Sequence, residues 1–122
     1  MAERRILVVE DDMDGQEVVE HILRHHNIQA DIVSTGEEAI TQMATKQYSA
    51  AIIDLALPHI DGWTLLETIQ ASKTIAPIPC VAVTAFHSAE VAVKAIEAGF
   101  VAYFPKPLDP TSFVRELERA LS

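Results

Sequence analysis

Five short, predominantly apolar runs, which do not alternate strictly with polar residues, constrain the fold of this chain most strongly. They cover residues 6–9, 30–33, 50–53, 80–83 and 101–104. Continuous runs of this length are typical of parallel strands that are covered on both faces. Longer segments with helical periodicity separate the runs. The pattern therefore predicts five repeats of a strand followed by a helix.

The segments between the runs carry helix signals of their own. Apolar residues at helical spacing form stripes in the first, third and last of them. We expect these residues to face the core: Val18, Val19, Ile22, Leu23, Leu65, Leu66, Ile69, Phe113, Val114, Leu117 and Leu121. Each stripe thus predicts an amphipathic helix packed on the sheet.

Capping residues indicate where several of these helices begin and end. Ser34 and Glu37 have the spacing of a capping box at the start of the second helix. Ser88 is a candidate N-cap for the fourth helix, which Gly99 would end. Asp109 stands before a proline, which marks the start of the last helix.

Alternating strands and helices predict a three-layer α/β domain. Crossovers between parallel strands are right-handed, which places helices on both faces of one sheet. A chain of 122 residues favours a five-stranded, doubly wound sheet over a barrel. An apolar content of 49% is enough to bury one core, so we predict a single domain over residues 1–122.

Charge narrows the classes of partner. The formal net charge is −9, which disfavours direct binding to nucleic acid or to an anionic membrane surface. No apolar run is long enough for a signal peptide or a spanning helix, so we expect a soluble, cytoplasmic protein. Cys80, the single cysteine, lies in an apolar run and is interpreted as a buried hydrophobe.

Acidic and other polar residues follow four of the five predicted strands. Ligands bind outside the carboxyl ends of the strands in doubly wound sheets. The residues at these ends are Glu10, Asp11, Asp12, Asp54, Thr84 and Lys106. Carboxylates that converge there repel one another unless protons or a cation intervene. Oxygen ligands without cysteine or a suitably placed histidine favour Mg²⁺ over Zn²⁺.

Lys106 and Thr84 require a further explanation, and a phosphoryl group supplies one. In phosphoryl transfer the protein positions the group and neutralises the charge on its oxygens, which a lysine, a hydroxyl and a magnesium ion do together. A carboxylate can itself be the nucleophile, giving an acyl phosphate. Asp54, directly after the third run, is the candidate nucleophile.

Four sequence fragments resemble the receiver domain of two-component response regulators. They are Ile-Leu-Val-Val-Glu-Asp-Asp from Ile6, Asp-Leu-Ala-Leu-Pro-His-Ile-Asp-Gly from Asp54, Val-Thr-Ala from Val83, and Phe-Pro-Lys-Pro from Phe104. Each fragment alone is weak, but the four in this order are highly specific, and the resemblance spans essentially the whole chain. It implies a flavodoxin-like sheet of order 2-1-3-4-5 with five helices.

The resemblance also implies roles for the residues at the strand ends. Asp54 would be the phosphoacceptor, with Thr84 and Lys106 binding the phosphoryl oxygens. Mg²⁺, or Mn²⁺ as the alternative, would be held by Asp11, Asp54 and the backbone carbonyl of Ala56, with Glu10 acting through water. The peptide bond from Lys106 to Pro107 is expected to be cis. Such a domain catalyses only its own phosphorylation and slow self-dephosphorylation.

Switching and phosphoryl lifetime follow from the same resemblance. Thr84 would move toward the phosphoryl group and Tyr103 would turn inward, which changes the surface made by the fourth helix, fifth strand and fifth helix. Ala56 and Phe86 occupy positions that flank the phosphoryl group in the family and tune its hydrolysis. Neither side chain can hydrogen-bond an attacking water, so we predict slow self-dephosphorylation.

Partners and assembly are expectations of the same kind. The phosphodonor would be a histidine kinase or a phosphotransfer protein, and the output would be a downstream protein target. The protein would be a single-domain regulator or phosphorelay shuttle, or alternatively a receiver domain from a larger regulator or hybrid kinase. We expect a monomer or a phosphorylation-dependent dimer.

Other functions and sites fit the residues less well. A haloacid-dehalogenase-type hydrolase needs an acid two residues after its nucleophile, where this chain has Ala56. A flavin carrier is disfavoured by the acidic residues after the first strand, and a pseudo-receiver by the complete set of chemical residues. His21 and His25 have the i, i+4 spacing of a metal pair, but no further ligand is evident. A role for His25 and His26 at the C-terminal end of a helix is favoured instead.

Overall fold

The computed structural model describes residues 5–121, so both ends of the predicted domain, residues 1–4 and residue 122, lie outside the described part. Strands and helices alternate along the whole of it. In chain order they are β1 (Arg5–Val9), α1 (Met13–His25), β2 (Gln29–Val33), α2 (Gly36–Thr45), β3 (Ala50–Asp54), α3 (Gly62–Ala71), β4 (Cys80–Thr84), α4 (Ala89–Ala98), β5 (Ala102–Pro105) and α5 (Pro110–Leu121).

The five strands form one parallel sheet in the order β2-β1-β3-β4-β5. All four neighbouring pairs are parallel, with Val9 beside Ile53 and Asp54 beside Val83. The predicted flavodoxin-like fold class is therefore confirmed. Because β1, β3 and β4 are central, the residues that follow them meet at one edge of the sheet.

Each face of the sheet has its own apolar core, which explains the continuous runs. Successive residues of a strand point to opposite faces, so both sets of side chains must be covered. On one face Ile6 and Val8 pack with residues of α1 and α5, including Leu23 and Phe113. The other face packs against α2, α3 and α4, with these buried members: Leu7, Val9, Ala39, Met43, Leu65, Leu66, Ile69 and Ala95.

Most of the predicted helix features are confirmed. The Ser88 hydroxyl accepts the Val91 N–H at the start of α4, and Gly99 ends that helix in the left-handed region. Helix α5 begins at Pro110, directly after Asp109. Its inward residues are buried, except that Leu121 is half-buried against the same core. Cys80 is a buried free thiol whose pKa is raised to about 11 by burial.

Three predictions about local structure are wrong. The N-cap of α2 is Thr35, whose hydroxyl accepts the Glu38 N–H, because the pair Thr35 and Glu38 has the same spacing as the predicted Ser34 and Glu37. Val18 is 47% exposed, since it lies at the margin of the apolar stripe of α1. Strand β5 begins at residue 102, which leaves the Val101 side chain exposed, although its N–H still donates to the Cys80 carbonyl at 2.9 Å.

No helix within residues 5–121 combines the length and the apolar character that crossing a membrane requires.

Candidate functional site

The candidate site lies at the carboxyl ends of the three central strands. Glu10, Asp54 and Thr84 are the buried polar residues of the described chain, at 3%, 5% and 2% exposure. They end or directly follow β1, β3 and β4. Lys106 comes just after β5 and its backbone N–H donates to the Thr84 carbonyl at 2.8 Å. Sheet order alone thus brings together residues up to 96 positions apart.

Three carboxylates form a compact acidic cluster. Glu10, Asp11 and Asp54 each offer an oxygen, and the three oxygens lie within 4.8 Å of one another. Among residues 5–121 no other such group of three or more histidine, cysteine or acidic residues is present. Asp11 is exposed, whereas the other two are buried. The donor set is all oxygen and has one side open to solvent, which suits a magnesium ion that keeps some of its water.

Lys106 provides positive charge inside the acidic cluster. Its ammonium donates to Asp54 Oδ2 at 2.9 Å and also contacts Glu10 Oε1. The two carboxylates are almost fully buried and the lysine is largely so. A buried carboxylate without a partner is costly, so the lysine compensates the charge of both groups.

The pKa values reflect this competition between burial and charge. Burial, together with hydrogen bonding and repulsion from Asp54, raises the pKa of Glu10 to about 7. Burial would also raise the pKa of Asp54, but hydrogen bonds from Glu10, Ala56 N–H and Lys106 outweigh it and hold that pKa below its usual value. Asp54 is therefore an ionised carboxylate at neutral pH, the form that a nucleophile requires.

The chain after β3 is held close to Asp54. The Ala56 N–H donates to Asp54 Oδ1 at 2.9 Å, and the Leu55 carbonyl accepts the Gly62 N–H at 3.1 Å. A Cβ on Gly62 would lie 2.5 Å from the Asp54 carbonyl oxygen. Only glycine lets the start of α3 approach so closely, and this approach fixes the loop that carries Ala56 beside Asp54.

Thr84 and Tyr103 both have partners on the loop after β4. The Thr84 hydroxyl accepts the Phe86 N–H at 3.0 Å. The Tyr103 hydroxyl and His87 Nδ1 lie 2.9 Å apart, with the two ring centroids 5.6 Å apart. Phe86 is 74% exposed at the rim of the site. The pairing of His87 with Tyr103 had no signal in the sequence, because nothing in a chain indicates a contact between residues 16 positions apart.

Other candidate residues have structural roles. Asp12 caps α1, since its carboxylate accepts the Gly15 N–H at 2.9 Å. The rings of His21 and His25 are stacked with centroids 6.5 Å apart, and no third ligand joins them among the described residues. Trp63, in the first turn of α3, packs edge-on against Phe100. The bond from Lys106 to Pro107 is cis, which confirms the prediction.

Gln16 is a site residue that sequence analysis missed. Its side-chain amide donates to the Glu10 carbonyl at 2.6 Å and to the Ser34 hydroxyl at 3.2 Å. It therefore ties the end of β1 to α1 and to the residue after β2. A single glutamine in an amphipathic helix gives no sign of this role, because an exposed position would accept it equally well.

Comparison with known proteins gives one consistent family. The family model described as the response regulator receiver domain matches residues 6–118. Over 117 residues the chain is 33% identical to the transcriptional regulatory protein ZraR of Salmonella typhimurium, covering 96% of this chain. That match spans only 26% of ZraR, about a quarter of its length.

Solved structures agree with the fold. A CheY-like response regulator receiver domain protein from Methanospirillum hungatei superposes with a TM-score of 0.85 at 28% identity, over 98% of this chain and 94% of the other. The receiver domain of the sensor histidine kinase PA1611 from Pseudomonas aeruginosa matches with a TM-score of 0.87 at 29% identity, over 98% of both chains. The latter structure has a magnesium ion coordinated in its active site cleft.

Proposed function

This chain belongs to the response regulator receiver family, and on that premise we propose that Asp54 accepts a phosphoryl group from a phosphohistidine of a kinase or phosphotransfer protein. One observation carries the proposal. Asp54 is an ionised, buried carboxylate that contacts Lys106 and shares a 4.8 Å cluster with Glu10 and Asp11. A carboxylate placed in this way has a counter-charge for an incoming phosphoryl group and a place for a metal ion.

The proposed reaction is a direct transfer between two proteins. A carboxylate oxygen of Asp54 attacks phosphorus, a new oxygen–phosphorus bond forms, and the nitrogen–phosphorus bond of the donor breaks. The donor imidazole leaves with the electron pair of that bond. The product is an acyl phosphate on Asp54. Lys106, already within hydrogen-bond distance of Asp54 Oδ2, neutralises the charge that moves onto the acceptor side.

The residues present fit a magnesium ion. Asp11, Asp54 and the backbone carbonyl of Ala56 would hold it directly, and Glu10 would do so through water. When bound, the ion supplies neutralisation of negative charge on the phosphoryl oxygens. Asp11 is exposed, so the site is open to solvent on that side. Mn²⁺ is the alternative ion, because it favours the same oxygen ligands.

The proposed switch runs through Thr84 and Tyr103. A phosphoryl group on Asp54 adds charge and strong acceptors near the buried Thr84 hydroxyl. If that hydroxyl turns toward the phosphoryl group, the hydrogen bond that it now accepts from the Phe86 N–H must break. Inward rotation of Tyr103 must likewise break its contact with His87. Both contacts belong to the β4–α4 loop, so the loop links phosphorylation to the surface.

The proposed output surface comprises α4, β5 and α5. Apolar side chains are exposed there, with Val93 and Ile96 on α4 and Val101 just before β5. A downstream protein target would cover them, or a second copy of this chain in a phosphorylation-dependent dimer. Because the match spans about a quarter of ZraR, both forms of the chain stay open: a single-domain regulator or phosphorelay shuttle, and part of a larger regulator or hybrid kinase.

Incubation with acetyl phosphate tests the proposed function. With Mg²⁺ present, we expect the intact mass of the protein to increase by one phosphoryl group, because the ion offsets repulsion between the donor and the acidic cluster. A chelator in place of Mg²⁺ should abolish the increase, and Mn²⁺ should restore it. An increase that is equal with and without a divalent ion would contradict the proposal.

The lifetime of the phosphoryl group gives a second prediction. Ala56 follows Asp54 by two residues and Phe86 follows Thr84 by two, and neither side chain has a group that could orient an attacking water, so we expect slow self-dephosphorylation. Ala56→Asn and Phe86→Asn each add an amide that can hydrogen-bond a water, which should raise the hydrolysis rate by positioning that water. Loss of the phosphoryl mass from the purified phosphoprotein is followed over time with no phosphatase present. Rapid loss in the wild-type protein would contradict the prediction.

A further inference from the structure

Glu10 takes its position only because residue 15 has no side chain. A Cβ built on Gly15 would lie 2.5 Å from Glu10 Oε1, 2.9 Å from Cδ and 3.2 Å from Cγ. The first two distances are shorter than real Cβ contacts allow. Gly15 lies inside α1, where a glycine lowers helix stability relative to alanine, so helix formation does not explain it. The glycine is explained instead by the space that the Glu10 side chain occupies beside it.

Hydrogen bonds hold the backbone on both sides of such a contact. The Gly15 N–H donates to the Asp12 carboxylate that caps α1, which fixes the first turn of the helix. The Glu10 N–H donates to the Val33 carbonyl at 3.0 Å, and its own carbonyl accepts from Gln16. An added Cβ would therefore displace the Glu10 side chain rather than the main chain.

The displaced group belongs to the site. Glu10 is 3% exposed, contacts Lys106 and contributes one of the three clustered carboxylate oxygens. A glutamate side chain is one methylene longer than that of an aspartate. The extra length is what reaches the space over Gly15, since Cγ, Cδ and Oε1 are the atoms nearest to it.

We propose that Gly15 is a positioning residue of the metal and phosphoryl site, and that it permits a glutamate at position 10 to approach Lys106 and the other two carboxylates. Gly15 and Glu10 form a matched pair, in which a Cβ at position 15 would overlap the Glu10 side chain where it now lies. The proposal rests on the proposed metal-dependent function for its effect on Mg²⁺. The steric relation between the two residues is independent of that function.

A double-mutant cycle tests the pairing. Mg²⁺ affinity is measured by calorimetry for the wild type, Gly15→Ala, Glu10→Asp and the double variant. Gly15→Ala should weaken binding about tenfold, the scale of losing a group that orients a metal site. In the Glu10→Asp background the same change should have little effect, because the shorter acid leaves room for the Cβ. An equal loss in both backgrounds, or no loss in either, would overturn the proposal.

Two further measurements separate positioning from damage to the fold. Thermal unfolding without metal should show Gly15→Ala raising Tm in the Glu10→Asp background, because alanine favours the helix. Crystal structures of the metal-free wild type and Gly15→Ala should show the contact between Glu10 and Lys106 present in the first and absent in the second. If that contact survives in the variant, the proposal fails, whether or not the wild-type protein binds Mg²⁺. Failure of wild-type Mg²⁺ binding would instead count against the proposed function.

Discussion

Asp54→Asn should abolish phosphorylation by acetyl phosphate while leaving the fold intact. The amide has nearly the shape of the carboxylate, so the sheet and the surrounding loop should tolerate it. It is neutral, however, and is a far weaker nucleophile than a carboxylate. It also removes one of the three clustered carboxylates. Intact mass spectrometry of wild type and variant, each incubated with the donor and Mg²⁺, measures the result directly.

Asp14→Asn is the matched control for that experiment. Asp14 is exposed in the first turn of α1 and lies outside the acidic cluster. The Asp14→Asn variant should gain the phosphoryl mass as the wild type does. That result would show that loss of one negative charge is not enough to stop the reaction. Circular dichroism should show the same helix content in all three proteins. A phosphoryl gain by Asp54→Asn equal to that of the wild type would place the acceptor elsewhere and contradict the central proposal.

The sheet and the residues at its edge could be predicted because burial leaves a strong local pattern. Ile6 and Leu7 face opposite cores, so both had to be apolar. The run from Ile6 to Val9 is therefore continuously apolar rather than alternating. The position of Asp54 at the end of such a run is visible in the sequence for the same reason. Parallel strands then dictate that the residues after them meet, which requires no knowledge of side-chain packing.

The features that could not be predicted depend on distances between residues far apart in the chain or on a choice between equal patterns. Ser34 with Glu37 and Thr35 with Glu38 have the same spacing, and only the path of the chain selects Thr35 as the cap. The space over Gly15 exists only when α1 is placed beside the end of β1. From sequence alone, a glycine in a helical segment predicts a slightly less stable helix. It gives no sign that another side chain occupies the space beside it.

The charge balance of the site could be predicted only in part. The sequence shows that acids and a lysine converge, but it does not show which acid the lysine neutralises. In the structure Lys106 contacts both Glu10 and Asp54, and hydrogen bonds with these two carboxylates outweigh burial and raise the lysine pKa above its usual value. The ammonium therefore stays charged at neutral pH. It occupies the same acidic cluster that a metal ion would, so the two cations compete there for negative charge.

Lys106→Met should consequently have opposite effects on metal binding and on phosphorylation. Methionine keeps much of the aliphatic stem but removes the ammonium that contacts Glu10 and Asp54. Without that competing cation the acidic cluster should bind Mg²⁺ more tightly, as measured by calorimetry. The rate of phosphorylation by acetyl phosphate should nevertheless fall by about 10²–10³-fold, the usual cost of removing a group that stabilises charge in the transition state.

Lys73→Met is the control, because Lys73 is exposed in the segment between α3 and β4 and lies outside the site. It should change neither quantity beyond a small effect of net charge. If Lys106→Met weakened Mg²⁺ binding and phosphorylation together, the lysine would be organising the carboxylates rather than competing with the ion. If the rate were unchanged, Lys106 would have no part in the transfer. Tighter metal binding combined with slower transfer is the result that a charge-neutralising role for Lys106 requires, because only that role separates the two effects.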